Sequence, residues 1–310
     1  MPFVPSVIVP ARNGFEQTSM CLATLLHSFG RLNLKCEFIL VDDASDEPER
    51  IQEVFRNHRA AARGHETKII RSRKHQHYSR VFAIGQHFAT RDAVFFISND
   101  MVVTPWFLNA LLLVSSVSRE FGIVRGTSNY VDSHPEHVIE PKDVMKDYRD
   151  VENFSQRMFA AQGCAVVEDH ILSGDAILVR RELIDRIGVV DMRYFGYFGD
   201  IDYGMRTQLA GYKLICAKGA WLFHHGGGYV KREMLRDGIT VDQARERRLA
   251  LVEDAYRAFR GKWRIEQPAL WEGGRHAASL NFHQLARQHA ERVSLRYDFP
   301  SAAMDDLEII

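Results

Sequence analysis

Apolar runs and helical patterns alternate along the first hundred residues. Four short apolar runs, typical of buried strands, cover residues 3–9, 38–41, 68–71 and 93–97. Helical spacing of apolar residues follows the first three runs, at 16–30, 47–62 and 78–89. A repeated strand–helix order is typical of βαβ units. It therefore predicts an α/β domain with a mostly parallel central sheet flanked by helices.

Polar side chains follow three of the predicted strands at the point where each strand ends. They are Arg12-Asn13, Asp42-Asp43 and Ser98-Asn99-Asp100. Right-handed crossovers place the carboxyl ends of parallel strands at one edge of the sheet, where open α/β sheets bind ligands. We therefore expect the three clusters to meet in one crevice. Asp100 is there either a divalent-metal ligand or a turn residue before the helix that Pro105 begins.

The carboxyl-terminal half has a less regular pattern. Strands are predicted at 121–125 and 164–167, and helices at 182–187 and from residue 240 onward. Residues 127–162 are polar and include Asn129, His134 and His137, so a solvated loop with a surface helix is the simplest interpretation of any one of them. Residues 265–310 are expected to form helices in a tail with no recognisable chemistry.

Composition narrows the class of protein. The chain has 310 residues, and 46% of them are hydrophobic, which suffices for one large domain or for one domain with a helical appendage. Lys and Arg number 40, as do Asp and Glu, so the net charge does not favour nucleic acid as a partner. The four cysteines are far apart, which argues against a disulfide framework or a zinc site and favours a reducing compartment.

The sequence lacks the patterns of membrane insertion and secretion. No apolar run approaches the roughly 20 residues that span a bilayer, and the amino terminus does not have the order of a signal peptide. We therefore expect a cytoplasmic protein. Residues 231–264 hold ten Lys and Arg against six Asp and Glu. This excess is consistent with peripheral docking at the inner face of the cell membrane, although a solvated helix face is the simpler explanation.

The usual phosphate-binding loops do not occur in the sequence. It contains neither a GxxxxGK[ST] loop nor a GxGxxG loop after the first predicted strand. This argues against P-loop enzymes and ordinary dinucleotide-binding dehydrogenases. A nucleotide would then be held by side chains, with a metal ion covering its phosphates.

Several segments resemble glycosyltransferase family 2. VIVPARN at 7–13 and FILVDDAS at 38–45 resemble the opening of these enzymes, and residues 78–85 are similar to their third segment. FISNDM at 96–101 resembles the single-aspartate form of their metal motif. The resemblance covers about residues 4–263 and implies the nucleotide-sugar-binding GT-A fold. It extends in particular to bacterial rhamnosyl- and galactofuranosyl-transferring polysaccharide enzymes.

Two segments of the carboxyl-terminal half continue this resemblance. LSGDAILVRR at 172–181 resembles the glycine-containing strand beside the donor sugar. In it, Asp175 either bonds a sugar hydroxyl or pairs with Arg180 or Arg181. YFGDIDYGMR at 197–206 resembles the Glu-Asp-x-Asp motif.

The second residue of the Glu-Asp-x-Asp motif is the family's catalytic base. The match makes Asp200 the base, with Gly199 in place of the usual Glu. Asp200 would also cap the helix that follows, where the helix dipole favours negative charge. Asp202 is expected to orient the loop or to pair with Arg206 four residues later.

HHGGG at 224–228 resembles the family's His-x-Gly-Gly segment. The resemblance implies that His224 and Asp100 hold a Mn²⁺ or Mg²⁺ ion. Lys231 follows on the same flexible stretch and is expected to cover the diphosphate when that stretch closes. The residues that the resemblance assigns to the nucleotide and the donor sugar are Pro10, Arg12, Asn13, Asp42, Asp43, Arg80, Asn99, Asp100, Gly174, Asp175 and Lys231.

The resemblance implies an inverting glycosyltransferase. It would move a sugar from a nucleoside-diphosphate sugar, with UDP as the expected nucleotide, to a hydroxyl of a glycan or glycolipid acceptor in cell-surface polysaccharide biosynthesis. We expect a GT-A catalytic domain at 1–230 and a helical extension at 231–310. The domain would divide into a nucleotide-binding half at 1–126 and an acceptor and catalytic half at 127–230.

Two alternatives to this function stay open. Gly199 and the single-aspartate metal motif fit a nucleotide-sugar-binding protein with impaired catalysis. A sugar-phosphate nucleotidyltransferase also has an α/β fold. It needs a glycine-rich basic loop after the first strand, and ARNGFEQ at 11–17 matches such a loop poorly.

Overall fold

The fold is taken from a computed structural model of the chain. It describes residues 3–131, 134–226, 237–265 and 290–310, together with residues 234, 281, 284, 287 and 288.

Strands and helices alternate through the first half of the described chain. The strands are β1 (Pro5–Ala11), β2 (Glu37–Asp43), β3 (Glu66–Ser72), β4 (Ala93–Ile97), β5 (Met101–Val102), β6 (Phe121–Ser128), β7 (Val166–Asp169), β8 (Ala176–Arg180), β9 (Lys213–His224) and β10 (Leu307–Ile309). The α-helices are α1 (Phe15–Arg31), α2 (Pro48–Ala61), α3 (His77–Phe88), α4 (Pro105–Val117), α5 (Tyr148–Gln162), α6 (Arg181–Ile187), α7 (Gly199–Leu209) and α8 (Val241–Trp263). Short 3-10 helices lie at Pro135–His137, Ala290–Arg292 and Ser301–Asp306.

The strands form one large sheet in the order β10-β3-β2-β1-β4-β8-β6-β9-β5, and β7 pairs with β9. Strands β3, β2, β1 and β4 are parallel, as the βαβ pattern predicts. Strand β8 enters between β4 and β6 and runs antiparallel to both. The sheet is therefore parallel in its first half and mixed in its second.

Alternate side chains of the central strands pack into two cores on opposite faces of the sheet. In β4, Phe95 belongs to the core beneath α1, α2 and α4, whereas Phe96 belongs to the core beneath α3 and α6. Full burial of a side chain of this size contributes about 2–3 kcal/mol of transfer free energy. This alternation fixes the register of each strand, because a shift of one residue would exchange the two faces.

Helix α8 packs against α7 through a third apolar cluster. Val252, Tyr256 and Phe259 are buried on one face of α8, within the helix predicted from residue 240 onward. They contact Phe198, the residue before α7. Helix α8 therefore supports the segment that carries the predicted base.

Several predicted boundaries shift in the structure. Strand β1 continues through Pro10 to Ala11, beyond its pairing with β4, which ends at Ile8, but still paired with β2. Asp42 and Asp43 lie inside β2 rather than after it. Leu214 and Trp221 lie in one continuous strand, β9.

The end of the chain differs from the expected helices. The described part of residues 290–310 contains two 3-10 helices and β10, which pairs antiparallel with β3 at the edge of the sheet. The division of the chain at residue 230 stays a prediction. Among the described helices, none combines the length and the apolar character that a membrane crossing requires.

Candidate active site

The ends of β1 and β2 are tied together by Arg12 and Asn13. The Arg12 guanidinium donates to the carbonyl of Asp43 at 3.0 Å and to that of Ala44. Asn13 exchanges two hydrogen bonds with Asp46, one of 2.8 Å and one of 2.9 Å. Both residues predicted for the nucleotide side therefore lie at the crevice edge, where they brace the loop after β2.

Asp42 and Asp43 have different surroundings. Asp42 is fully buried, accepts the Ser45 amide at 2.9 Å and lies 3.6 Å from the Arg71 side chain. Asp43 accepts the amides of Gln76 and His77, just before and at the start of α3, at 2.5 and 3.0 Å. Loss of hydration raises the pKa of Asp43 to about 6, although these amides and Arg12 act in the opposite direction.

Helix α3 connects Asp43 to the glycine segment before β8. Tyr78, next to the His77 amide, donates its hydroxyl to the carbonyl of Gly174 at 3.0 Å. A Cβ atom at Gly174 would overlap the Tyr78 hydroxyl and would lie 3.3 Å from the Cβ of Asp200. Gly174 is therefore glycine because α3 and the first turn of α7 both come close to its backbone.

Asp200 lies in the first turn of α7 and faces a second carboxylate. Phe198 is the residue before this helix, so Asp200 is not its N-cap as expected; its carboxylate accepts the Ile201 amide at 2.9 Å. Loss of hydration, with a further contribution from the negative charge of Asp175, raises the pKa of Asp200 to about 6. A carboxylate with this pKa is ionised at neutral pH but is a stronger base than an exposed aspartate.

Asp175 also acts on the predicted metal ligands. The Oδ1 atom of Asp100 lies 3.3 Å from the Nε2 atom of His224, and the backbone carbonyl of Asp100 accepts a hydrogen bond from the His225 amide at 3.0 Å. Burial lowers the pKa of His224, but the hydrogen bond to Asp100 and the charges of Asp100 and Asp175 outweigh it and raise the pKa. Asp175 is therefore within electrostatic range of both the predicted metal ligand His224 and the predicted base Asp200.

The remaining predicted residues are distributed along the same edge. Asn99 donates to Thr18 at 2.7 Å, and the Nε atom of Arg80 donates to the carbonyl of Met192 at 2.8 Å. Pro10 is half-buried at the end of β1. Lys231 lies outside the described residues.

Comparison with known proteins decides the family. The model of glycosyl transferase family 2 matches residues 6–188 of the chain, which is more than half of it. The chain belongs to glycosyl transferase family 2. It is a glycosyltransferase, and its central sheet with flanking helices is the GT-A fold.

Relatives of this glycosyltransferase are remote. N-acetylglucosaminyl-diphospho-decaprenol L-rhamnosyltransferases from two strains of Mycobacterium tuberculosis are each 41% identical over 54 residues, which are 17% of this chain and 18% of theirs. The chain thus matches less than a fifth of these relatives' length.

Two solved structures share the fold. A mannosyltransferase from Pyrobaculum calidifontis, in complex with GDP-Man and Mn²⁺, is 15% identical, with a TM-score of 0.52 over 94% of this chain and 88% of that one. GalNAc-T7 with UDP, GalNAc and Mn²⁺ is 13% identical, with a TM-score of 0.55 over 93% of this chain and 55% of that one.

The departure from the family pattern at Gly199 has a steric cause. A Cβ atom at Gly199 would overlap the Ser79 side chain of α3. The usual Glu cannot fit there while α3 packs so closely. The substitution therefore accompanies a tight contact between α3 and α7 in this glycosyltransferase.

Asp202 of this glycosyltransferase has a structural role. Its carboxylate lies 2.8 Å from Arg206 and 2.7 Å from Lys262, and it accepts hydrogen bonds from Tyr194 and Trp263. The predicted pair with Arg206 is confirmed. Lys262 also contacts Asp191. Through its contact with Asp202, Lys262 joins the end of α8 to the first turn of α7.

The site contains residues that sequence patterns did not indicate. Tyr78 approaches both Gly174 and Asp200, and Asn129 holds the backbone of His224 through hydrogen bonds of 2.7 and 2.8 Å. The rings of His75 and His77 stack at 3.6 Å beside Phe195. The sequence around Tyr78 and Asn129 does not indicate these contacts, because Gly174 and His224 lie on distant elements.

The Asp100 and His224 pair fits a divalent metal by its donor chemistry. A carboxylate oxygen and an imidazole nitrogen 3.3 Å apart are suitable ligands for Mn²⁺, whereas Mg²⁺ prefers oxygen alone. A separate group of potential ligands, His134, His137 and Asp169, is buried elsewhere in the described chain.

Proposed function

We propose that this glycosyltransferase is an inverting enzyme that uses a nucleoside-diphosphate sugar, with UDP as the expected nucleotide. The acceptor would be a hydroxyl of a glycan or of a lipid-linked glycan in cell-surface polysaccharide biosynthesis. The short match to the mycobacterial rhamnosyltransferases supports a lipid-linked acceptor. GDP-Man in one related structure and UDP with GalNAc in the other support the donor class.

One observation carries this proposal: Asp200 stands beside Asp175 and Gly174 with a pKa of about 6, and Asp175 acts electrostatically on the Asp100–His224 pair. An inverting transfer needs a base on one side of the anomeric carbon and a binding site for the leaving diphosphate on the other. The arrangement has candidates for both near one short segment, 174–175. It therefore supports a single reaction centre.

In the proposed step, an acceptor hydroxyl donates its proton to a carboxylate oxygen of Asp200. The hydroxyl oxygen forms a bond to C1 of the sugar, and the bond between C1 and the diphosphate oxygen breaks on the opposite face with its electron pair. Asp200 is only partly buried, so the acceptor has access to it. Asp175 raises the basicity of Asp200 and would accept a hydrogen bond from a hydroxyl of the donor sugar.

Asp100 and His224 would hold the metal, which neutralises the charge that develops on the leaving diphosphate when it is bound. Their own geometry supports this role. Asn129 fixes the backbone of His224, and the Asp100 carboxylate lies against its ring. We assign Arg12, Asn13, Asp42 and Asp43 to shaping the nucleotide side, because each orders the loops at the ends of β1 and β2.

A transfer assay with a panel of UDP, dTDP and GDP sugars tests the function. Incubation with Mn²⁺ and a polyprenyl-diphosphate-sugar acceptor should release the nucleoside diphosphate and form a product with inverted anomeric configuration by NMR. Donor binding should also raise the Tm of the chain only with the correct nucleotide sugar. A donor that raises the Tm without any product, across all acceptors, would favour the binding-protein alternative instead.

A further inference from the structure

Two histidines and an aspartate form a buried group between the segment after β6 and the end of β7. His134, His137 and Asp169 are 2%, 1% and 4% exposed. Each offers a nitrogen or carboxylate oxygen, and these atoms lie within 4.8 Å of one another. The reaction proposed above uses none of the three residues.

Hydrogen bonds hold the three side chains in place. The Nε2 atom of His137 lies 2.7 Å from Asp169 Oδ1. The Nδ1 atom of His134 lies 2.9 Å from the Glu136 carboxylate, and its Nε2 atom lies 2.9 Å from the carbonyl of Ile171. Metal-binding histidines usually have such a carboxylate on the second ring nitrogen, because it fixes the tautomer and the ring orientation.

Polar atoms of this group remain unpaired. Within the described part of the chain, Nδ1 of His137 and Oδ2 of Asp169 are buried and have no hydrogen-bond partner. A buried polar atom without a partner costs about 1–3 kcal/mol. A bound cation would offset this cost for Asp169, because the carboxylate would coordinate the cation in place of the water it loses on burial.

We propose that His134, His137 and Asp169 form a binding site for a structural Zn²⁺ ion, separate from the Asp100 and His224 pair. Two imidazole nitrogens and one carboxylate oxygen are an ordinary zinc donor set, with bonds of about 2.0–2.2 Å. At these lengths, tetrahedral ligand atoms lie about 3.4 Å apart. The ligand atoms of the three side chains lie within 4.8 Å of one another, with 2.7 Å between His137 Nε2 and Asp169 Oδ1, so the side chains must adjust to reach this spacing. The carbonyl of Ile171 lies 2.9 Å from His134 Nε2.

The position of this site explains what the ion would do. The loop after β6 first holds His224 through Asn129 and then contributes His134 and His137. Asp169 ends β7, and Ile171 lies four residues before Asp175. An ion here would join the loop that supports the metal pair to the segment that carries Asp175, so its effect would be on stability and positioning.

Metal analysis of the untagged full-length chain tests the site. After growth with zinc and dialysis, the native chain should hold about one zinc per chain, and added Zn²⁺ should raise the Tm of the zinc-free chain. His137→Gln and Asp169→Asn, which keep the side-chain shapes, should lose the zinc and this rise in Tm. His170→Ala, which removes an exposed histidine next to Asp169, should retain both.

A second arm separates this site from the catalytic metal. His224→Gln should retain the zinc while losing Mn²⁺ binding, and His137→Gln should do the reverse, both measured by isothermal titration of the metal alone. A native chain that neither holds zinc nor is stabilised by it would overturn the proposal. So would zinc that survives in both His137→Gln and Asp169→Asn. If these variants fail to fold, titration of the native zinc-free chain with Zn²⁺ still decides the question.

Discussion

Helix α7 presents two aspartates, two residues apart, to very different surroundings. Asp202 is fully buried and contacts two cations and two further donors, Arg206, Lys262, Tyr194 and Trp263. Asp200 accepts hydrogen bonds only from backbone amides, among them that of Ile201 at 2.9 Å, and experiences the negative charge of Asp175. The helix is thus anchored on one face and electrostatically strained on the other.

The difference between the two faces separates structure from chemistry. Carboxylates that fix a fold have their charge matched, as in the network of Asp202, Asp191 and Lys262. A general base instead needs a pKa near the working pH, which requires lost hydration and too few donors. The anchored face keeps α7 in place while the charge on Asp200 remains unmatched.

The largest expected effect is on catalysis when Asp200 is replaced. Asp200→Asn keeps the side-chain shape but removes the proton acceptor, so we expect kcat to fall about 10³-fold. Steady-state transfer kinetics with the preferred donor measure this. Asp185→Asn, at an exposed position of α6, serves as the control and should retain native kcat. An unchanged kcat in Asp200→Asn would remove this residue as the base.

Loss of Lys262 should have the next largest effect, and it should be on stability. Lys262 lies 3.0 Å from Asp191 and 2.7 Å from Asp202, and its side chain is 9% exposed. Lys262→Met leaves two buried carboxylates without this cation, so we expect a loss of about 3–5 kcal/mol in the free energy of unfolding. Urea unfolding and a Tm lower by about 10 °C would show it.

Arg193→Met provides the matched comparison for Lys262→Met. Arg193 also contacts Asp191, but its side chain is 60% exposed and Asp191 keeps Lys262 as a partner in this variant, so its removal should cost less free energy of unfolding than removal of Lys262. Equal losses in the two variants would contradict the view that the buried contact to α8 anchors α7.

Sequence patterns predicted the edge of the site but not its packing. Asp100 and Asp200 could be assigned because each lies in a motif at a strand end or helix start. The reason for Gly199 could not be found, since the obstructing Ser79 lies 120 positions earlier and meets it only after α3 docks. Contacts between distant elements depend on helix placement, which local periodicity does not encode.

The segment 127–162 shows a second limit. Its polar residues indicated a solvated loop, yet His134 and His137 are buried. Their partner Asp169 is 32 positions from His137 and reaches it only because β7 pairs with β9. The antiparallel entry of β8 was also not predicted, because strand direction follows from connections rather than from the apolar run itself.

A smaller effect is expected on stability when Asp200 is replaced, and its sign is opposite to that of Lys262→Met. The pKa of Asp200 is raised to about 6 from an unfolded value near 3.9, so above pH 6 its ionised form destabilises the folded chain. Asp200→Asn should therefore raise the free energy of unfolding at pH 7.5 by about 1–2 kcal/mol, after allowance for partial exposure. At pH 4 this gain should disappear. If the free energy of unfolding of Asp200→Asn at pH 7.5 is lower than that of the native chain, ionised Asp200 does not destabilise the fold.

The pH dependence of the native enzyme should follow from the same group. As the pH falls through about 6, Asp200 becomes protonated, and kcat should decrease tenfold per pH unit below that point. Asp43 has a raised pKa of about 6 as well, so a fall in kcat/KM alone could report either residue. The profile of kcat, at saturating donor and metal, reports the group that acts in the bound complex.

Replacing Asp175 should have the smallest effect and should distinguish the two groups. The charge of Asp175 raises the pKa of Asp200, whereas the groups that set the pKa of Asp43 are Gln76, Arg12, His77 and Asp42. Asp175→Asn should therefore move the acid limb of kcat to lower pH, by less than about one unit, since the loss of hydration at Asp200 remains. If the acid limb of kcat does not move in a variant with native Tm, the limb belongs to Asp43 rather than to Asp200. The two faces of α7 would then lack the contrast in charge described above.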